Sequence, residues 1–563
     1  MVRLNNKSFS IGRQKKKNVF YEDSLPLKLG IGCIGILVVL SISVWFHQII
    51  QILFSDSQID NVKSNEPEFE RVSAPKSALT TALRNKKDVA RIDAPQLPLL
   101  PAFAPIPNAE KLVDDLLKGE NPSIPGIVAL SQIFLTKLHE MQSEMRKDKP
   151  FDHLKIVTAF YDLVSEHLIP FEEAYRGRPI FDIREDDSVF ISIAAFREHL
   201  LDQTMRFAFD NAENPDKLYI GAVVQNCFGL NGGPLPCKTG AQVVGKNKQG
   251  RDKTKVSDAP PDTNGIETFC GDEAYKKYCD SGQIRVIYID ENEALGPAYS
   301  RYFASKLWGG ETHFMQVDSH LVFAKNWDTG FINEAKAAKS FPKAVLSSYP
   351  PGFSGNGADH ILGKTSGSRL CSCEFSTHDV EKEILRINAG GNYHGDEDRP
   401  KQIPFIAAGF FFARAEFLVD VPFDPFLPWC FMGEEILLSI RAWTSGWDIY
   451  APRLNLIAHQ YRPGRMGLPK FWGSVGRTWG GSGPYMNSQL QWKVIHRIKN
   501  LVGYEESTRE KIGNQGLDVV LRELEHYGPG SKRTLEDYLE LAKIDVQKKK
   551  CHYMEWCTMS KLD

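Results

Sequence analysis

The chain has 563 residues, of which 42% are hydrophobic and 25% are charged, and its formal net charge is −2. This length excludes a single small domain and suits one large catalytic domain with appended segments. The near-neutral charge gives no support to a nucleic-acid partner, because a surface that follows phosphates usually carries a basic excess.

The first element in chain order is an uncharged apolar segment at 29–46, whose apolar character continues to Phe54. Such a segment can cross roughly 30 Å of hydrocarbon as a helix. The residues before it are rich in Lys and Arg, which keeps that end cytoplasmic and sends the C-terminal bulk across the membrane. A cleaved signal peptide is a weaker alternative, because SDSQID offers no small-residue cleavage site; a buried core helix is another. We therefore predict a cytoplasmic tail at 1–28 and one transmembrane anchor at 29–54.

The segments that follow differ in composition. Residues 55–110 are polar and then proline-rich, which is typical of a stem between a membrane and a domain. Residues 111–175 show helical periodicity and predict a small helical module. A catalytic domain is predicted at 176–480 and a C-terminal helical extension at 481–563, which ends in an exposed tail.

The central region alternates short apolar strands with helical stretches. Strands are predicted in SVFISIAAF, KLYIGAVVQ, QIRVIYID and THFMQVDSHLVF, and helices in HLLDQTMRFAFDNA and ALGPAYSRYFASKLW. This order predicts an α/β domain with a mostly parallel, Rossmann-like sheet, which binds ligands at the carboxyl ends of its strands. No GxGxxG follows the first strand, so an ordinary dinucleotide-binding fold is not supported. Residues 229–272 predict a long insertion tied by disulfides.

Nine cysteines follow the apolar segment. In an oxidising compartment most of them can pair, although sequence alone does not fix the connectivity. The odd number leaves at least one thiol free or intermolecular. The close spacings favour small loops closed by Cys227–Cys237, Cys270–Cys279 and Cys551–Cys557.

The segment MQVDSHLVF contains a candidate cation site. Asp318 ends an apolar strand and His320 follows two residues later, so both side chains can point to one side of an extended chain. A carboxylate at this edge suits a hard ion such as Mn²⁺ or Mg²⁺ that also contacts a diphosphate. His459 ends another strand-like stretch and is a candidate third ligand. The alternatives are that Asp318 and Ser319 form a turn and that His459 is structural.

Two adjacent carboxylates, Glu434 and Glu435, open a helix after the loop VPFDPFLPWC. They either complement the helix dipole or act in catalysis or acceptor orientation. Arg301 is a candidate for contact with phosphate oxygens, although an arginine at the surface is the default. An aromatic cluster either stacks on sugars or packs in the core. Its members are Trp443, Trp447, Tyr450 and Trp472.

Four longer segments stand in a fixed order along the chain. They are ISIAAFREHLLDQTMRFAFDNAENPDKLYIGAVVQ, IRVIYIDENEALGPAYSRYFASKLWGGETHFMQVDSHLVFAKNWD, AAGFFFARAEFLVDVPFDPFLPWCFMGEEILLSIRAWTSGWDIYAP and YGPGSKRTLEDYLELAKID. Together they resemble the polypeptide N-acetylglucosaminyltransferase family, which includes hydroxyproline-modifying enzymes. The resemblance runs from about Phe190 to Asp545 and leaves out residues 1–175 and most of 231–270. It implies a GT-A fold, a UDP-GlcNAc donor, a divalent metal and retention of the α configuration.

The resemblance also implies roles for single positions. Asp318 and His320 correspond to the ligands of the metal and the diphosphate, with His459 as the third metal ligand. Glu434 would face the reacting centre, with Glu435 beside it. The uridine pocket and the donor sugar would be contacted by Ser192, Ala194, Phe196, Arg197, Ala408 and Gly409.

The predicted anchor and stem set this chain apart from the cytoplasmic members that the resemblance includes. A lumenal Ser or Thr acceptor is therefore expected in place of hydroxyproline, in a Golgi or other secretory-pathway membrane of type II topology. Three alternatives stay open: another UDP-sugar donor, a catalytically inactive lectin-like protein, and a metallohydrolase, although the chain lacks HExxH.

Overall fold

The computed structural model describes residues 105–558, apart from 230–236, 240–241, 248–251, 354–357, 360, 365–367, 378–380, 382, 393–397, 462–470, 472–478 and 480–483. No helix among these residues is both long enough and apolar enough to cross a membrane. The predicted tail, anchor and nearly all of the stem lie outside the described residues, as does Trp472. The predicted domain boundaries stay predictions.

Helices and strands alternate through the described part of the chain. The helices are α1 Ala109–Leu117, α2 Ile124–Met145, α3 His153–His167, α4 Ile169–Ala174, α5 Leu201–Asn211, α6 Gly265–Cys270, α7 Lys276–Asp280, α8 Pro297–Lys306, α9 Trp327–Ala337, α10 Phe417–Asp420, α11 Glu434–Thr444, α12 Pro484–Val502, α13 Arg509–Gly513, α14 Leu524–Tyr527, α15 Leu535–Leu541 and α16 Glu555–Thr558. The strands are β1 Val189–Phe196, β2 Leu218–Asn226, β3 Cys237–Lys238, β4 Gln242–Lys246, β5 Asp252–Lys255, β6 Asp258–Ala259, β7 Ile284–Asp290, β8 His313–Val317, β9 Leu321–Phe323, β10 Ala344–Ser347, β11 Ser368–Arg369, β12 Ser372–Phe375, β13 Leu385–Asn388, β14 Gly391–Asn392, β15 Lys401–Ile403, β16 Phe410–Arg414, β17 Asp448–Ala451, β18 Ile457–His459, β19 Ile544–Asp545 and β20 Lys550–Cys551.

The central sheet has eight strands in the order β15-β17-β10-β16-β8-β1-β2-β7. The neighbours β8, β1, β2 and β7 are parallel, whereas β16 runs antiparallel to both β8 and β10. The predicted α/β class with a mixed, largely parallel sheet is therefore confirmed. Because β1 and β8 are parallel neighbours, the segments that follow them leave the sheet at the same edge.

Helices cover both faces of this sheet, which explains the continuous apolar character of its strands. Phe209 of α5 and Phe331 of α9 lie in the core on one face, together with Ile191 and Ile193 of β1. Phe190 of β1 points to the opposite core. That second core also receives α2, α3, α8, α11 and α12, so the predicted helical module packs directly against the α/β part of the protein.

The predicted strand THFMQVDSHLVF is wrong in one respect, because the structure divides it. The strand β8 ends at Val317, and β9 starts at Leu321 and pairs with β18 outside the central sheet. The hydroxyl of Thr204 donates to Ser319 O at 2.9 Å and accepts from Leu321 N at 3.0 Å, which satisfies the backbone at the break. The predicted metal ligands Asp318 and His320 therefore lie on a bend at the carboxyl end of β8.

The predicted small loop between Cys551 and Cys557 is wrong. Cys557 pairs with Cys371, and Cys551 pairs with Cys373, so both bonds join segments that are far apart in the chain. The C-terminal residues are therefore tied to β12, and Cys557 is buried, in contrast to the exposed tail that the sequence predicts. The other two predicted loops are confirmed. They are closed by Cys227–Cys237 and Cys270–Cys279.

Candidate active site

Three potential metal ligands meet where β8 ends. Asp318 directly follows β8, and His320 directly precedes β9. His459 is the last residue of β18 and lies opposite Leu321 in the β9–β18 pair. One ligand atom from each of Asp318, His320 and His459 lies within 4.8 Å of the others. His459 Nε2 is 3.1 Å from Asp318 Oδ2, and the two imidazole rings are 4.5 Å apart. The structure thus brings together all three residues that the sequence predicts as metal ligands.

This cluster has the composition of a divalent cation site. His320 Nδ1 is 3.0 Å from Glu198 Oε2, which leaves Nε2 as the ring atom available to a cation. His459 Nδ1 is buried and has no hydrogen-bond partner among the described residues. One carboxylate with two imidazoles suits Mn²⁺ better than Mg²⁺, because Mg²⁺ prefers oxygen ligands alone. The residues present therefore fit the metal that the resemblance implies.

Electrostatics keep Asp318 ionised. Burial by itself would raise the pKa of the Asp318 carboxyl, but the hydrogen bond from His459 and the charge of Arg301 outweigh it and hold the pKa well below its usual range. Burial also acts to lower the pKa of His320, whereas the carboxylates of Glu198 and Asp318 raise it above its usual value. A negative ligand therefore sits at the centre of the cluster at neutral pH.

Arg301 joins this cluster to the predicted catalytic carboxylate. It lies on α8 with 8% of its surface exposed, so it is not the surface arginine that was the default expectation. Its Nη2 donates to Asp318 Oδ1 at 3.0 Å, and its Nη1 donates to Glu434 Oε2. Burial raises the pKa of the Glu434 carboxyl, and the Arg301 guanidinium opposes that rise. Arg301 therefore fixes Glu434 and Asp318 relative to each other.

Glu435 has different partners from its neighbour. Its Oε1 accepts from the backbone N of Ala408 at 3.0 Å, and its Oε2 accepts from the Tyr349 hydroxyl at 2.8 Å. Gln316 Nε2 donates to Ala408 O at 2.7 Å, so the backbone of Ala408 is held on both sides. Glu434 and Glu435 each accept a hydrogen bond from residues outside α11. A favourable interaction with the helix dipole is therefore not sufficient to explain both carboxylates.

The segment predicted to approach the donor sugar touches the metal cluster directly. Asp318 N donates to Gly409 O at 3.2 Å. A Cβ atom on Gly409 would lie 2.9 Å from Asp318 Oδ2, which is closer than real Cβ atoms approach an oxygen. Glycine at this position therefore allows the Asp318 carboxylate to sit against the Ala408–Gly409 backbone.

The residues predicted to line a uridine pocket extend from the middle of β1 to just past its end. By strand alternation Ser192, Ala194 and Phe196 share the face of Phe190, and Ser192 lies beside Gln316 of β8. Ser192 is buried, and its hydroxyl has no hydrogen-bond partner among the described residues. Their contact with a nucleotide stays a prediction.

Arg197, the fourth predicted uridine contact, is occupied by partners within the protein. Its Nε is 2.6 Å from Asp262 Oδ2, and its Nη1 is 2.9 Å from Glu291 Oε2. The ion pair with Asp262 connects the end of β1 to the 229–272 insertion, and the buried pair with Glu291 connects it to the end of β7. In the aromatic cluster, Trp447 and Tyr450 are buried, as core packing requires.

Several residues that contact the site were not predicted from the sequence. Glu198 is separated from the end of β1 by Arg197 alone, and its position at the carboxyl edge of a predicted strand is a signal that could have identified it. Thr204 and Tyr349 carry no such signal, because their contacts join segments that are distant in sequence. The overlooked contacts come from Glu198, Thr204, Gln316 and Tyr349.

Comparison with known proteins places these features in a family. No curated protein matches the chain. Among solved structures, a crystal structure of GalNAc-T7 with UDP, GalNAc and Mn²⁺ aligns at 14% identity and a TM-score of 0.34, over 66% of this chain and 56% of that one. TarS of S. aureus aligns at 13% identity and a TM-score of 0.28, over 66% of this chain and 51% of that one. The chain thus spans only about half the length of these two structures, and both likenesses are weak.

The family model for "Glycosyltransferase (GlcNAc)" matches residues 188–548, which is well over half of the chain. The match begins just before β1, includes every residue of the site described above, and ends after β19. The chain therefore belongs to the GlcNAc glycosyltransferase family.

Proposed function

We propose that this protein transfers GlcNAc from UDP-GlcNAc to a hydroxyl group of a polypeptide, with a divalent cation, a GT-A arrangement of its sheet and retention of the α configuration. The observation that carries the proposal is the cluster of Asp318, His320 and His459, which Arg301 joins to Glu434. It occurs at the carboxyl end of β8 in a member of a glycosyltransferase family.

Asp318, His320 and His459 would hold the cation, preferably Mn²⁺. The bound cation would supply positive charge that neutralises the departing diphosphate. Arg301 occupies Asp318 Oδ1, so Asp318 Oδ2 remains on the side of His459. This division lets one carboxylate be held by the protein and still present an oxygen to the cation.

Glu434 and Glu435 would position the reactants. Glu434 is fixed by Arg301 and would orient the donor sugar or the acceptor hydroxyl, without acting as a covalent nucleophile. Glu435 would set the backbone of Ala408 and Gly409 against the donor. Retention requires the acceptor hydroxyl on the face that the diphosphate leaves, and holding both groups there supplies effective concentration.

The setting we propose is the lumen of the Golgi or another secretory compartment. The four disulfides among the described residues support an oxidising environment, in which such bonds persist. The basic residues before the apolar segment 29–54 support a type II anchor. A chain in this position would meet Ser and Thr residues of secreted polypeptides as acceptors.

The test is transfer by the full-length chain to peptides that present Ser and Thr, or hydroxyproline, with UDP-GlcNAc and Mn²⁺. We expect a mass increase of one N-acetylhexosamine on Ser or Thr and an α linkage by NMR. Asp318→Ala should abolish transfer, whereas Asp216→Ala, an exposed carboxylate of the same type, should retain it. A β linkage would overturn retention, modification of hydroxyproline alone would overturn the proposed acceptor, and transfer from another UDP-sugar alone would overturn the proposed donor.

A further inference from the structure

The candidate metal site of Asp318, His320 and His459 is positioned in part by residues that have no role in the proposed mechanism. We propose that Glu198 and Thr204 act together as positioning residues that hold His320 as a cation ligand and set the affinity of the site for the metal. The inference rests on the proposed function, because it assumes that Asp318, His320 and His459 bind a cation. It concerns residues outside the predicted ligand set.

Glu198 is held firmly where β1 ends. The preceding residue, Arg197, has a left-handed backbone with φ of 49°, and its side chain is anchored by Asp262 and Glu291. The Glu198 side chain is 4% exposed, and its Oε1 accepts from Leu200 N at 2.9 Å. The carboxylate therefore has one oxygen committed to the backbone of the turn and one directed to His320.

The second oxygen determines which ring nitrogen of His320 is free. Glu198 Oε2 lies 3.0 Å from His320 Nδ1, and a carboxylate can only accept a hydrogen bond. The proton of a neutral imidazole is then held on Nδ1, and the lone pair is held on Nε2. Histidines that bind metals generally have an outer partner of this kind, which fixes both the tautomer and the ring orientation.

Thr204 holds the backbone on both sides of the same histidine. Its hydroxyl donates to Ser319 O at 2.9 Å and accepts from Leu321 N at 3.0 Å. Gln460 N also donates to His320 O at 3.1 Å. Main chain and side chain of His320 are thus positioned by separate groups, and Glu198 and Thr204 both belong to the segment between β1 and the middle of α5.

The other two ligands have their own supports. Asp318 is held by Arg301, and His459 is held by its place in β18. Removing Glu198 or Thr204 should therefore impair one ligand of three while leaving the other two in place. Loss of an outer partner typically weakens metal binding by about 10- to 100-fold.

The experiment measures Mn²⁺ dissociation constants of the full-length chain by electron paramagnetic resonance of free Mn²⁺, without any sugar nucleotide. We expect Glu198→Gln and Thr204→Val to weaken Mn²⁺ binding by about 10- to 100-fold, and Thr204→Ser, which keeps the hydroxyl, to restore it. Glutamine has the shape of glutamate but a single carbonyl oxygen for two donors, Leu200 N and His320 Nδ1. If the glutamine oxygen still accepts from Leu200 N, the amide group must donate to His320 Nδ1. The imidazole proton is then forced onto His320 Nε2.

A double-mutant comparison separates positioning from a loss of folding. In a His320→Ala background, Glu198→Gln should change Mn²⁺ affinity less than about twofold, because the ligand that it positions is already gone. Thermal unfolding in EDTA checks that each variant is folded. Unchanged Mn²⁺ affinity in Glu198→Gln, or an equal loss with and without His320, would overturn the inference. If Asp318→Ala also left Mn²⁺ affinity unchanged, the metal site of the proposed function would itself be wrong.

Discussion

Glu435 is a carboxylate whose ionisation the fold opposes. Its pKa is raised from 4.5 to about 7, chiefly by burial and also by the charge of Glu434, although the hydrogen bonds from Ala408 N and Tyr349 oppose the rise. Arg301 faces the same region and lowers the pKa. The protonated form is therefore favoured in the folded protein well above the pH at which the unfolded chain ionises.

The sign of the effect on stability follows from proton binding. Between pH 4.5 and about 7 the folded protein holds more protons at Glu435 than the unfolded chain does. The stability that Glu435 contributes is complete below its pKa in the unfolded chain, 4.5, and is lost as the pH rises through its pKa in the folded protein, about 7. At about 1.4 kcal/mol per pKa unit, the loss is at most about 3 kcal/mol above pH 7.

Glu435→Gln tests this reasoning, because glutamine resembles the protonated carboxyl. Its oxygen can accept from Ala408 N, and its amide can donate to the Tyr349 oxygen while the Tyr349 hydroxyl donates to Ile387 O, 3.1 Å away. In denaturant unfolding, we expect equal stability at about pH 4, below the unfolded pKa, and a more stable variant at about pH 8.5, by up to about 3 kcal/mol.

The control for this experiment is Glu536→Gln, which replaces an exposed glutamate in α15 and should change the free energy of unfolding by no more than about 0.5 kcal/mol. A raised pKa at Glu435 is refuted if the difference in stability between Glu435→Gln and wild type is the same at both pH values. It is also refuted if the wild type gains stability relative to the variant at alkaline pH.

Three further predictions concern the site and its frame. Gly409→Ala would bring a Cβ to 2.9 Å from Asp318 Oδ2 and should lower donor turnover by at least about tenfold, which corresponds to about 1.4 kcal/mol. The control, Gly513→Ala, places its Cβ in open space and should leave turnover unchanged. Equal turnover in the two variants would contradict the contact between Gly409 and Asp318. Because two of the three proposed ligands are imidazoles, UDP release should be restored after EDTA by less Mn²⁺ than Mg²⁺, and the reverse order in a metal titration would argue against this ligand set. Replacing Cys371 and Cys557 by Ser should lower the free energy of unfolding by about 2–5 kcal/mol, because the disulfide between them closes a long loop. An unchanged midpoint of denaturant unfolding would show that this disulfide does not stabilise the fold.

Features of this protein that arise from local sequence could be predicted. The apolar strands β1, β2 and β7 and helices α5 and α8 follow from hydrophobic periodicity, since each buries a face that its own residues define. The placement of Asp318 at a strand end followed from where the apolar residues stop. His320 and His459 were identified by residue type and by the resemblance, and the β9–β18 pairing explains how they meet.

Features that depend on contacts between distant segments could not be predicted. Arg301 and Glu434 are 133 residues apart, so nothing local indicates their ion pair. The break after β8 depends on the hydroxyl of Thr204, which satisfies two backbone groups from another segment. The pairing of Cys557 with Cys371 depends in the same way on where the C-terminal residues dock.

Transfer of GlcNAc from UDP-GlcNAc at the cluster of Asp318, His320 and His459 can be tested first on the donor alone. The most direct measurement is UDP release by the full-length chain from a panel of UDP-sugars with Mn²⁺, alongside Asp318→Ala. We expect release from UDP-GlcNAc alone, and we expect that release to be lost with EDTA and in the variant. Equal release by Asp318→Ala, or no release from any donor by folded protein that binds Mn²⁺, would contradict this expectation, and the second result would favour a lectin-like protein that has lost catalysis.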